Sequence, residues 1–160
     1  MNQLNTDLSI KPKGINARII NEFGNLLHQC DSIKYKHQNN GLYVTVKINQ
    51  NSYCLTLSHE YPFKMPTNIS YNGVDYYKIL ITHSDEAKDC LKRFYYRNCL
   101  CCSSMLCNAS WMPTINISHI INEINNVVKI KKEIMIRMLC NRIRSKYVCY
   151  FAEIEKYLFY

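Results

Sequence analysis

Four cysteines fall within nine positions of one another, in the run Cys99-Leu100-Cys101-Cys102-Ser103-Ser104-Met105-Leu106-Cys107. A thiol that loses its proton does two kinds of chemistry: it attacks an activated carbonyl, or it ligates a soft metal ion. The chain holds nine cysteines, an odd number, and Met1 to Lys13 is polar, unlike a secretory leader. Reduced thiols in the cytoplasm, or in the nucleus, are therefore expected rather than a disulfide scaffold. Cys99 and Cys102 make one C-x-x-C step, and Cys90 or Cys107 would have to complete a zinc site. A second C-x-x-C or a C-x-x-H is missing, so the main expectation is no metal, with a zinc protein as an alternative.

Other residues with chemical capacity lack a pattern. His59, His83 and His119 have no pairing of a catalytic kind, and no Ser-His-Asp layout is visible. Asp75, Asp85 and Asp89 are acidic, but spacing assigns none of them a catalytic role. With four glycines the chain has no phosphate-cradling loop, and no cofactor is expected. Cys30, Cys54, Cys140 and Cys149 read as small core residues.

The elements that must position these groups are legible in the periodicity. Nearly half of the 160 residues are apolar (48%), enough for one domain with its own core. Residues 1–13 read as a flexible lead, and residues 14–160 as a single domain. Ile15, Ile19, Ile20, Phe23, Leu26 and Leu27 recur at helical spacing, predicting a helix from about Asn16 to His28. From Ser32 the period becomes two. Strands are expected at Ile33–Tyr35, Leu42–Ile48, Tyr53–Leu57 and Asn68–Tyr71, with turns at Asn39-Asn40-Gly41, Asn49-Gln50-Asn51 and Asn72-Gly73. Asp85 to Tyr96 reads as a short helix. Ile117, Ile120, Ile121 and Ile124 open a helical stretch, and from about Val127 further helices carry Met135, Met138 and Tyr147 as a buried stripe. The class is α+β: an N-terminal helix, a four-stranded antiparallel meander and C-terminal helices.

The formal charge of +8 gathers in Lys129, Lys131, Lys132, Arg137, Arg142, Arg144 and Lys146. That spacing suits solvated helix faces or an acidic protein partner better than specific nucleic-acid binding. No apolar run reaches the roughly 18 residues of a membrane span, so no membrane partner is expected.

Two proline motifs flank the cysteines: Tyr61-Pro62-Phe63-Lys64-Met65-Pro66 and Trp111-Met112-Pro113-Thr114-Ile115-Asn116-Ile117-Ser118-His119-Ile120-Ile121. Their order after a helix and a strand meander resembles the ubiquitin-conjugating enzyme family over roughly residues 15–128. The resemblance implies that fold, and a cysteine that takes ubiquitin from a ubiquitin-activating enzyme as a thioester. The ubiquitin then passes to substrate lysines with or without a ligase. It further implies a ligase-docking surface formed by Phe63, Met112 and Pro113 with the first helix at its side. Tyr61 reads as a core anchor.

Register within the resemblance favours Cys102 as the acceptor. Met105-Leu106 then matches the family's aliphatic pair, and Trp111 follows nine positions later. Cys101 and Cys99 are the alternatives, Cys99 because Leu100 follows it. The family's His-Pro-Asn turn is missing: Tyr76-Tyr77-Lys78 stand in its place, and an insertion containing Asp85 to Tyr96 follows. Asn98 or Asn108 would have to supply the lost asparagine. A non-catalytic variant that binds ubiquitin or a proline-containing peptide is the second reading.

Overall fold

The computed structural model describes residues 17–82, 84–102, 104–107 and 109–159, with side chains as far as residue 146. The lead at residues 1–13, together with Ile15, His83, Ser103, Asn108 and the side chains of Tyr147 and Cys149, lies outside the described residues.

Helix α1 (Ala17–Leu27) buries Ile19, Phe23 and Leu26, which recur every three or four residues and so share one face. A five-stranded antiparallel sheet follows in chain order: β1 (Ser32–Gln38), β2 (Gly41–Ile48), β3 (Asn51–Leu57), β4 (Thr67–Tyr71) and β5 (Val74–Asp75). Alternation puts one face of β2 and β3 into the core. Leu42 stands opposite Leu57, Val44 opposite Leu55 and Val46 opposite Tyr53, and all six side chains are buried. The Phe23 and Tyr35 rings stack with centroids 5.8 Å apart, fixing α1 against β1.

The fifth strand corrects the expected count of four. Asn72 and Gly73 adopt φ of 50° and 78°, the two positive values of a tight hairpin turn. The chain therefore returns beside β4, with Ser70 opposite Asp75 and Tyr71 opposite Val74.

Helix α2 (Tyr76–Leu80) starts directly from β5. The Asp75 carboxylate accepts hydrogen bonds from the Tyr77 and Lys78 amides at 2.9 and 3.3 Å, capping it. Helix α3 (Asp85–Tyr95) fills the expected span and ends at Tyr96, whose φ of 53° closes the last turn.

The C-terminal region is one helix, α4 (Ile117–Phe159), rather than several. It holds neither glycine nor proline, so nothing in its 43 residues interrupts the hydrogen-bond ladder. Its first part is core: Ile117, Ile120, Ile121, Ile124, Val127, Ile130 and Ile134 are buried. Farther along, contacts come from α3. Tyr95 hydrogen-bonds to Glu133, Arg137 lies 4.1 Å from the Phe94 ring centroid, and Arg142 pairs with Glu86 at 3.0 Å.

Here the expected buried stripe is corrected. Met138 is half-buried, but Met135, Ile136, Leu139 and Ile143 are exposed. Cys140, expected in the core, is exposed as well, while Cys30 and Cys54 are half-buried. Past Ile134 the charged residues Arg137 and Arg142 meet α3, and the apolar residues among them find little of the core to join.

Candidate functional site

The two proline motifs and α1 meet at one buried carboxylate. Glu22 sits on the apolar face of α1, between Ile19 and Phe23, and is itself buried. Its Oε2 accepts a hydrogen bond from the Tyr61 hydroxyl at 2.7 Å and one from the Ile117 amide at 3.0 Å. Its Oε1 takes the Arg18 Nε–H at 2.7 Å. Arg18 also donates to the Ile115 carbonyl at 3.2 Å. One side chain thus ties helix α1, the Tyr-Pro-Phe turn and the start of α4 together. Burial, and donation of its proton to Glu22, push the Tyr61 phenol well above the usual tyrosine range, so the hydroxyl stays a donor.

The turn and the tryptophan loop are joined a second time. Trp111 Nε1 donates to the Pro62 carbonyl at 2.8 Å, and the Tyr61 and Trp111 rings lie 6.3 Å apart. Tyr61, Pro62 and Pro66 are buried, which holds the turn as a rigid arch. Its crest and the neighbouring loop face solvent: Phe63 is 77% and Met112 58% exposed, and Pro113 is exposed too. Phe63 and Met112 are thus left out of the core on loops pinned through Tyr61, Pro62 and Trp111. A shallow polar groove of about 370 Å³ lies against α1, lined by Arg18, Asn21, Glu22, Asn25 and Asn116; no thiol lines it.

The cysteine loop is anchored at both ends. Leu100 and Leu106 are fully buried, and so is Ser104 between them. Ser104 Oγ pairs with the Tyr76 hydroxyl at 3.2 Å and accepts the Leu106 amide at 3.1 Å. With those residues turned inward, Cys101 and Cys102 face solvent and Cys99 is half-buried. The three sulfurs converge within 4.8 Å of one another, joined by neither Cys90 nor Cys107. Cys90 is buried and Cys107 half-buried, so the fourth ligand foreseen for zinc is not brought to the cluster.

Between Cys99 and Cys102, negative charge is favoured on Cys99. The Cys101 thiol donates to Cys99 Sγ across 3.1 Å, and the Cys102 amide donates to it at 3.3 Å. Thiol donation from Cys102 and Cys101 lowers the Cys99 pKa below the ordinary value, with the Cys102 amide adding to it. Cys102 is the reverse case. As a donor to Cys99 and Cys101, and beside their charge, it is pushed up to about 12. We expect Cys99 to be alkylated before Cys102 at neutral pH, because the thiolate is the reacting species. Its rate should rise with pH and level off below the ordinary thiol pKa, while Cys102 keeps gaining reactivity into strong alkali. Mass mapping of iodoacetamide adducts across pH checks this, and equal labelling of the two would refute it.

Several of the remaining candidates have structural duties, and others are simply exposed. His119 Nδ1 accepts the Asn116 amide at 3.3 Å, and Asn116 Oδ1 accepts the His119 amide at 2.9 Å, a reciprocal cap at the start of α4. His59 is exposed, its Nε2 3.4 Å from the Asn39 carbonyl. Asp75 caps α2, and Asp85 pairs with Lys88 at 2.7 Å, which lowers its pKa. Asp89 and Asn98 are exposed. Tyr76-Tyr77-Lys78 open helix α2. Among the basic residues of α4, Lys131 donates to the Ile81 carbonyl at 2.8 Å, and Arg137 and Arg142 hold α3. That part of the positive charge is spent on packing the helices.

Sequence reasoning passed over Glu22, Arg18 and the Tyr76–Ser104 pair. Glu22 had a signal: an acidic residue three positions after Ile19 and four before Leu26 lies inside the apolar arc, where a charge needs partners. No helix among the described residues is long and apolar enough to cross a membrane. No family model, curated protein or solved structure matches this chain.

Proposed function

We propose that this chain adopts a ubiquitin-conjugating-enzyme-like fold and carries ubiquitin as a thioester on the Cys99–Cys101–Cys102 cluster. The observation that carries the reading is the junction at Glu22, which brings α1, the Tyr-Pro-Phe turn and the Trp-Met-Pro loop together and leaves Phe63, Met112 and Pro113 exposed for a ligase. An accessible thiol cluster on the loop just before Trp111 supplies the chemistry.

In this reading a cluster thiolate attacks the thioester carbonyl of ubiquitin held on the activating enzyme, and that enzyme's thiolate leaves. A substrate lysine amine then attacks the new thioester, gives up a proton and releases the cysteine as thiolate. No cofactor takes part. Register and acidity point to different sulfurs. Cys102 stands nine positions before Trp111, whereas Cys99 holds charge more readily.

Incubation with activating enzyme, ubiquitin and ATP should give an adduct that dithiothreitol removes on non-reducing gels. Replacing Cys99, Cys101 and Cys102 together by alanine should abolish it, and the single serine variants assign the acceptor. Charging that survives the triple replacement overturns the site. The helix start at Tyr76-Tyr77-Lys78, in place of the His-Pro-Asn turn, favours a second reading, a non-catalytic ubiquitin- or peptide-binding module. That reading predicts ubiquitin binding without any adduct.

A further inference from the structure

We propose that Cys99, Cys101 and Cys102 form a three-thiolate site for a soft d10 cation, Cu(I) or Zn(II). The inference goes beyond the carrier reading and does not depend on it. Three thiols contributed by a four-residue stretch converge at the surface, with every sulfur within 4.8 Å of the others. Sulfurs around one ion at ~2.3 Å stand ~3.8 Å apart in a tetrahedral arrangement and ~4.0 Å apart in a trigonal one. The Cys101 and Cys102 sulfurs are already 3.8 Å apart, and Cys99 lies 3.1 Å from Cys101, so side-chain rotation need only open that pair by ~0.7–0.9 Å.

The backbone is prepared for the charge. The Cys102 amide donates to Cys99 Sγ at 3.3 Å, the kind of N–H···S contact that orients a ligating thiolate. Buried Leu100 and Leu106 pin the loop, and the bond from Ser104 to Tyr76 fixes its inner side. The three sulfurs are therefore presented by a held segment.

The donor set selects the metal class. Thiolate is a soft ligand and favours Cu(I) or Zn(II) over the hard cations. Three thiolates satisfy Cu(I) alone. Zn(II) would keep a water in its fourth position, since the cluster among the described residues offers three protein donors. On binding, each S–H bond gives way to a sulfur–metal bond and its proton goes to solvent, so uptake tightens as pH rises.

The test uses the full chain, reduced and stripped with chelator, titrated anaerobically with Zn(II) against a chromophoric chelator and with Cu(I) against a Cu(I)-specific one. Uptake of one equivalent of either ion per chain is expected, with proton release. Losing a partner of a metal ligand typically costs 10–100-fold in affinity, so losing a ligand itself should cost at least ~100-fold in Cys99→Ala, Cys101→Ala and Cys102→Ala. Cys107→Ala and Cys140→Ala should bind as the parent does. Emission from Trp111, the sole tryptophan, reports whether each variant keeps its fold. Failure to take up one equivalent of either ion overturns the proposal, as does uptake unchanged in the triple alanine variant. Ubiquitin plays no part in this readout, so the metal site and the carrier function can fail separately.

Discussion

Glu22→Ala is expected to lower the unfolding free energy by about 3–4 kcal/mol, because it strips a buried group from several partners at once. The Tyr61 hydroxyl would be left in the core without its acceptor, and the Ile117 amide would become an unpaired donor in the first turn of α4. Arg18 loses less: its side chain is one-third exposed, so water can replace the carboxylate. Glu22→Gln, which keeps one acceptor oxygen, should cost about half as much. A urea titration followed by Trp111 emission reads both. A fall in midpoint with unchanged slope assigns the loss to the folded state. A cost for Glu22→Ala below about 1 kcal/mol would mean that the junction does not hold the proline loops. The surviving fold should show a Trp111 environment more open to quencher, since the ring lies against Tyr61.

The second large effect lies at the first hairpin. Gly41 adopts a φ of 136°, and a Cβ added there would stand 2.0 Å from the Leu57 carbonyl oxygen and 2.9 Å from the Ser58 Cα. Both obstacles are backbone, so no side-chain rotation relieves the clash, and the β2–β3 pairing itself must open. Strain at such a φ alone costs on the order of 1–3 kcal/mol. With the lost Leu42–Leu57 pairing added, Gly41→Ala should cost more than about 4 kcal/mol or abolish folding. Gly73 is the control. At φ 78° with nothing within 4 Å of the added atom, Gly73→Asn should cost less than about 1 kcal/mol. Thermal unfolding of the pair separates the two positions, and equal losses would refute the steric account.

These sites bear on function because the same contacts position the exposed groups. Glu22 and Trp111 hold the arch that lifts Phe63 and the loop that carries Met112. The Leu42–Leu57 pairing anchors the strand from which that arch departs. The cysteine loop relies on a different set of contacts, Leu100, Leu106 and the Tyr76–Ser104 bond. A Glu22 variant should therefore disturb the apolar arch before it disturbs the thiols.

Local chemistry made much of this readable without coordinates. Helical spacing marked α1, α3 and the opening of α4. Period-two alternation marked the sheet, and Asn-Gly pairs marked two of its turns, because each signal depends only on neighbours in the chain. The closeness of the thiols was legible for the same reason: four cysteines within nine positions cannot lie far apart in any fold. The structure alone decided the rest, since it turned on contacts between distant segments. The exposure of Met135 and Cys140 depended on how far the core reaches along α4, whose last buried apolar residue among those described is Ile134. The partners of Glu22 come from residues 39 and 95 positions away. Whether Cys99 or Cys102 is the more acidic depended on which sulfur receives the hydrogen bonds, and spacing in sequence carries no record of that.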